Sequence, residues 1–122
     1  MNDTSHYTEI SQLDNPVTVK LGDKVLAQSD QVLQLIEFAH GNEYPAMLYF
    51  PRDSVAMQNF RKIDDFSTHC PIKGDASYYD LVLDGNETEK AVWSYEDPLP
   101  ENSKIKNHIA FDLSKLSLDF QD

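Results

Sequence analysis

The chain reads as a mainly-β domain, and three features of its sequence predict this. Short segments alternating apolar and polar residues recur along it, turn-forming dipeptides separate them, and little of the length carries helical signals. Six or more short strands with so little helix predict a closed or folded-over antiparallel sheet.

Residues 1–15 are polar, rich in Asn, Asp, Ser and Thr, and predict a flexible arm ending at Asn15-Pro16, with a single domain over 16–122. Val17-Thr18-Val19-Lys20-Leu21 alternates as a half-buried strand does, and Gly22-Asp23-Lys24 turns it into Val25-Leu26-Ala27-Gln28 as a hairpin. The segment from Val32 to Phe38 suits a helix or a strand. Its shortness, its β-branched residues and the following Gly41-Asn42 turn favour a strand. Met47-Leu48-Tyr49-Phe50 is a strand stopped by Pro51, and Asp53 or Ser54 caps one or two helical turns reaching Phe60. Asp64 to Gly74 reads as irregular. Ser77–Leu83 and Glu89–Tyr95 flank Asp84-Gly85-Asn86, a strong hairpin signal. After Pro98 and Pro100 come a single helical turn over Glu101–Asn107 and two closing strands, Ile109–Phe111 and Leu116–Phe120.

A length of 122 residues supplies one core, not two. Ten Lys and Arg stand against 21 Asp and Glu, a formal charge of −11. That field repels phosphate backbones, and the bases after the first third are interleaved with acids, so neither nucleic acid nor an anionic membrane is an expected partner. The polar N-terminus has no basic segment followed by an apolar run, and no apolar stretch approaches the roughly 20 residues that span a bilayer, so the expected location is cytoplasmic. Cys70 is the single cysteine, which excludes an internal disulfide and the paired thiolates of a structural zinc site. No metal or other cofactor is expected.

The densest chemistry lies between Thr68 and Tyr79. His69 sets a base beside the Cys70 thiol, and Lys73 brings a charge that favours a thiolate. His69, Cys70 and Lys73 are therefore the candidate catalytic residues. Adjacent side chains on an extended chain point to opposite sides, however, and a lone cysteine is more often a small packing group. Asp64, Asp65, His69 and Asp75 match no metal-loop spacing. Tyr49, Phe50, Tyr78, Tyr79, Trp93 and Tyr95 form a heavy aromatic set, suited to cross-strand packing or to the wall of a pocket.

Tyr49-Phe50-Pro51-Arg52-Asp53-Ser54-Val55, then Thr68 through Tyr79 with the pattern HCPxKGxAxY, then Ala91-Val92-Trp93-Ser94-Tyr95-Glu96-Asp97-Pro98, then Ile105 with Ile109-Ala110-Phe111, resemble the successive blocks of domain of unknown function family 427. The resemblance runs from about Val17 to Phe120. It implies a fold like the β-tent group, two antiparallel sheets meeting along one side, and places the family's motif positions on Arg52, His69, Cys70, Lys73, Gly74, Tyr78, Trp93 and Tyr95. Ile72 stands where the family often has an aromatic, and Tyr79 keeps one. Some β-tent proteins hold zinc with paired CxxC motifs, absent here; others bind small molecules in an aromatic cage. Members are sometimes labelled nucleotidyltransferase-like, but the chain lacks a Gly-Ser motif with paired aspartates.

The leading expectation is a domain that binds a small molecule, with Trp93, Tyr95 and Tyr78 or Tyr79 as walls and Arg52, His69 and Lys73 as polar groups. Those cations imply an anionic or carbonyl-bearing ligand. Catalysis by Cys70 or His69 is one alternative, and a scaffold or interaction module the other. Oligomeric state is not legible.

Overall fold

A computed structural model describes residues 6–120. Its strands are β1 (His6–Gln12), β2 (Val17–Leu21), β3 (Lys24–Ser29), β4 (Leu33–Ala39), β5 (Asn42–Glu43), β6 (Met47–Pro51), β7 (Phe60–Cys70), β8 (Gly74–Leu83), β9 (Asn86–Ser94), β10 (His108–Phe111) and β11 (Ser117–Phe120). The large antiparallel sheet runs β1-β4-β6-β10-β9-β8-β7, with β5 appended to β4, and a small sheet runs β11-β2-β3. The expected mainly-β, two-sheet architecture is what forms. Three 3-10 turns, Arg52–Ser54, Met57–Asn59 and Pro100–Ile105, are the helical content of the described residues.

Successive side chains on a strand point to opposite faces, so the large sheet sorts its apolar residues into two layers. Val17, Val19, Leu26, Phe50, Leu81, Val92, Ile109 and Phe111 pack together between the two sheets. Leu35, Tyr49, Ala76, Tyr95 and Ala110 form a second layer on the other face, joined by Ile105 from the third 3-10 turn. Each fully buried side chain of this size contributes about 1.5–3 kcal/mol. Burial on both faces explains why β6 and β10 read as unbroken apolar runs.

Residues 6–12 correct the expectation of a flexible arm, whose first five residues lie outside the described range. Every residue of β1 is in register with β4, from His6↔Ala39 to Gln12↔Leu33. Its polar composition misleads because this edge strand is held by polar anchors: His6 Nε2 bonds Glu37 Oε2 at 2.7 Å, and Thr8 Oγ1 donates to Asn102 Oδ1.

The segment expected to be irregular after Asp64 is the end of the 11-residue β7. Its half-buried residues, Phe60, Ile63, Phe66 and Cys70, fall three or four apart. A register shift between Lys62 and Ser67 against β8 breaks the alternation that would betray a strand. The helix expected to end at Phe60 is two 3-10 turns separated by Val55 and Ala56, of which Val55 bridges to Ala27 of the small sheet. The Asp84-Gly85 hairpin forms as expected, with φ of 52° and 81°, the paired positive values of a type I′ turn. No helix of the described residues is long and apolar enough to cross a membrane.

Candidate functional site

The residues expected to share one pocket divide between the two faces of the large sheet. Tyr78 and Tyr79 are neighbours on β8 and point oppositely. Tyr79 belongs to the layer between the sheets, while Tyr78, Trp93, Tyr95 and Cys70 belong to the other. Of the two tyrosines offered as alternatives for the wall, Tyr78 is the one that shares a face with Trp93 and Tyr95.

On the Tyr79 side, three groups converge on one carboxylate. The Tyr79 hydroxyl donates to Glu96 Oε2 at 2.6 Å, Arg52 Nη1 lies 3.4 Å from the same oxygen, and Lys62 Nζ donates to Glu96 Oε1 at 2.7 Å. Arg52 Nη2 also donates to the Tyr79 hydroxyl at 3.3 Å. Partial burial pushes the Glu96 carboxyl up, but hydrogen bonds from Lys62 and Tyr79 outweigh it and bring it down to about 2. Burial and the bond to Glu96 push the Tyr79 phenol up. Arg52 is thus a member of a closed ionic group.

Lys73 sits in the turn between β7 and β8, with its side chain only 10% exposed. Its ammonium donates to Glu37 Oε1 at 3.1 Å and lies 5.5 Å from the Tyr95 ring centroid. Since His6 holds the other Glu37 oxygen, β1, β4 and the β7–β8 turn meet at one carboxylate. Burial raises the Glu37 carboxyl, and the bonds from His6 and Lys73 overcome this to hold it below the usual range. The same turn is fastened through its backbone: Leu99 N–H donates to the Lys73 carbonyl at 3.0 Å, and Asn102 Nδ2 to the Ile72 carbonyl at 2.7 Å. Gly74 has φ of +106° there, which explains glycine at that position of the motif.

The His69–Cys70 pair does not form a dyad. His69 is exposed, its Nδ1 2.8 Å from Asp75 Oδ1, whereas Cys70 packs at the margin of the Tyr49–Tyr95 layer. Opposite faces of β7 separate them, as strand geometry requires. Among the described residues, no three His, Cys, Asp or Glu side chains gather into a set that could hold a metal ion.

Trp93 connects the aromatic layer to a cavity. Its ring lies 6.1 Å from Tyr78, which in turn meets Phe66 edge-on at 5.0 Å. A side-chain hydrogen bond with Trp93 opposes the burial that pushes the Tyr49 phenol up. Next to Trp93, β6 and β10 pair from His108↔Pro51 to Ala110↔Tyr49 and then part. A cavity of about 250 Å³ lies at that opening, lined by Met47, Leu48, Phe50, Trp93 and Phe111, with Ala46, Asp112 and Leu113 at its ends. Of the expected ligand-binding residues, Trp93 alone lines it. Phe50 belongs to the aromatic set read from the sequence, whereas Met47, Leu48 and Phe111 gave no signal beyond that of core strands, and only the β6–β10 adjacency brings the four together.

Asp112 contributes the one charged group. Its Oδ1 accepts from the Ser114 backbone N–H at 3.0 Å and from Ser114 Oγ at 2.6 Å, and Lys115 Nζ stands 3.7 Å from Oδ2. The Ser114 hydroxyl, followed by the Ser114 amide and Lys115, holds the carboxyl below its usual range against a small cost of burial.

The family model described as Domain of unknown function (DUF427) matches residues 9–121, nearly the whole chain, and the protein belongs to that family. No curated protein matches it.

Proposed function

We propose that this DUF427 member binds a small molecule in the cavity between β6 and β10. The observation that carries the reading is the cavity itself: about 250 Å³, walled by Leu48, Phe50, Trp93 and Phe111 on two strands and their neighbour. Ligand sites are typically concave, mostly apolar and largely preformed, with few polar groups. Walls on paired strands meet the second and third conditions. The volume lies just below the roughly 300–1,000 Å³ of ordinary ligand pockets, which restricts the occupant to a small molecule of about one ring.

An anionic ligand held by Arg52, His69 and Lys73 has less support, since each of the three is bonded to a carboxylate. Catalysis by a thiol–imidazole pair also has less support, because His69 turns to Asp75 and Cys70 to the apolar layer.

The test is a titration of the labelled protein with a panel of single-ring fragments, followed by NMR at the Met47 methyl and the Trp93 indole. Ala46 is exposed at the cavity's edge, so Ala46→Trp obstructs it without touching the core. Saturable shifts at both probes in the wild type, absent from A46W, are expected. A panel that moves neither probe removes the reading.

A further inference from the structure

We infer that the ligand of this cavity is a small uncharged molecule with a hydrogen-bond donor and acceptor side by side, a carboxamide or lactam, bound through the backbone of Leu48 and Phe111. The inference rests on the cavity being the ligand site and specifies what that site selects.

The cavity is a gap in the sheet itself. Pairing of β10 with β6 runs His108↔Pro51, Ile109↔Phe50, Ala110↔Tyr49 and stops. Continued, the same register would set Phe111 against Leu48, Asp112 against Met47 and Leu113 against Ala46, and all of these residues line the cavity. Its walls accordingly come from both layers: Leu48, Phe50 and Phe111 from the one between the sheets, Met47 and Trp93 from the other.

Alternation along the strands identifies the backbone groups that face this gap. Successive residues of an inner antiparallel strand turn their N–H and C=O to opposite neighbours. Asp112 N–H donates to the Ala91 carbonyl, on the β9 side, at 2.8 Å, so Phe111 turns its N–H and C=O toward β6. Ile109, two residues before Phe111, does the same and meets Phe50, so Leu48, two residues before Phe50, turns toward β10. An unbroken ladder would exchange two bonds between Leu48 and Phe111. The pairing ends one position short, so at least one N–H and one C=O of these two residues are left facing the opening. Backbone groups away from water are costly without partners, and a ligand carrying both an acceptor and a donor supplies them.

The side chains restrict the rest of the ligand. Seven of the eight lining residues are apolar, and the eighth, Asp112, has Oδ1 on Ser114 and Oδ2 beside Lys115. A charged ligand would lose its hydration there without meeting a free counter-charge. Because β4 and β9 flank the two strands, a peptide cannot add here as it would at a sheet edge.

The experiment titrates benzamide, acetophenone and benzoate into the nitrogen-15-labelled wild type and A46W, reading the Leu48 and Phe111 backbone amides and the Trp93 indole by NMR. Acetophenone keeps the ring and carbonyl but has no N–H, and benzoate keeps the shape but adds a charge. Benzamide is expected to bind about tenfold more tightly than either, to move a backbone amide together with the indole, and to lose both effects in an A46W that unfolds at the wild-type temperature. Acetophenone or benzoate binding as tightly as benzamide overturns the class and leaves the cavity as the site. Benzamide that moves the indole but neither backbone amide overturns the role of Leu48 and Phe111. If none of the three compounds and no fragment of the panel moves the indole, the cavity is not a ligand site and both readings fall.

Discussion

Consider the ion pair between Lys73 and Glu37, whose partners differ in their surroundings. The Lys73 side chain is 10% exposed and that of Glu37 26%. Breaking a fully buried pair costs about 3–5 kcal/mol, and an exposed pair contributes about 0–1 kcal/mol. This pair stands between those limits, and the two single substitutions are not equivalent. Glu37→Gln leaves an ammonium covered by Tyr95 and the β7–β8 turn with no counter-charge, a loss of about 2 kcal/mol. Lys73→Met keeps the aliphatic stem in place and leaves Glu37 with His6 and partial access to water, a loss of about 1 kcal/mol.

Urea unfolding measures the difference. With a slope of about 2 kcal/mol per molar, the midpoint falls by about 1 M in E37Q and about 0.5 M in K73M. The double variant should lose less than the sum, because the two sites share one interaction. If K73M is as destabilised as E37Q, or if E37Q unfolds at the wild-type midpoint, the buried ammonium is not what makes the pair matter.

Glu96 and Glu37 have folded-state carboxyls below their ordinary value, so the stability they contribute is complete above about pH 4.5 and is lost as the pH falls through the folded values, to about 2 for Glu96. Glu96→Gln should flatten that acid limb, read as the urea midpoint against pH; an unchanged slope would separate the Arg52–Lys62–Tyr79 group from acid stability. Gly74→Ala meets Leu99 N only at ordinary contact distance, 3.5 Å, so the φ of +106° sets its cost, about 1–3 kcal/mol in thermal unfolding. His69→Ala removes an exposed pair and should change stability by no more than about 0.5 kcal/mol, and a larger loss would assign His69 a structural role that its exposure does not indicate.

Most strands were legible because their patterns follow local rules. Val17–Leu21 alternates, Asp84-Gly85 has the residues a type I′ turn demands, and Pro51 stops β6. Where reading failed, the cause was tertiary. β1 is polar because its partners are Glu37 and Asn102, remote in sequence by 31 and 94 positions. β7 is an edge strand with a register shift, so its apolar residues lose their period. The aromatic candidates were identified as residues but not as an arrangement. Period two places Trp93 and Tyr95 on one face correctly, and it also separates Tyr78 from Tyr79, so of the two alternatives Tyr78 joins them and Tyr79 does not.

The HCPxKGxAxY segment is then better accounted for by position than by chemistry. Lys73 reaches Glu37, the Ile72 and Lys73 carbonyls take Asn102 and Leu99, and Gly74 permits the backbone turn that allows all three. Cys70 and Ala76 are small enough to pack beneath, against the layer that contains Tyr49 and Tyr95. That layer also holds Trp93, which packs against it and lines the opening between β6 and β10. A motif can therefore serve a site it does not line. Loosening the turn, as in E37Q, should shift the Trp93 indole resonance and weaken fragment binding even though Glu37 touches no ligand. Unchanged binding in a destabilised but folded E37Q would show that the turn and the cavity are independent, and the motif's purpose would then lie in the turn itself.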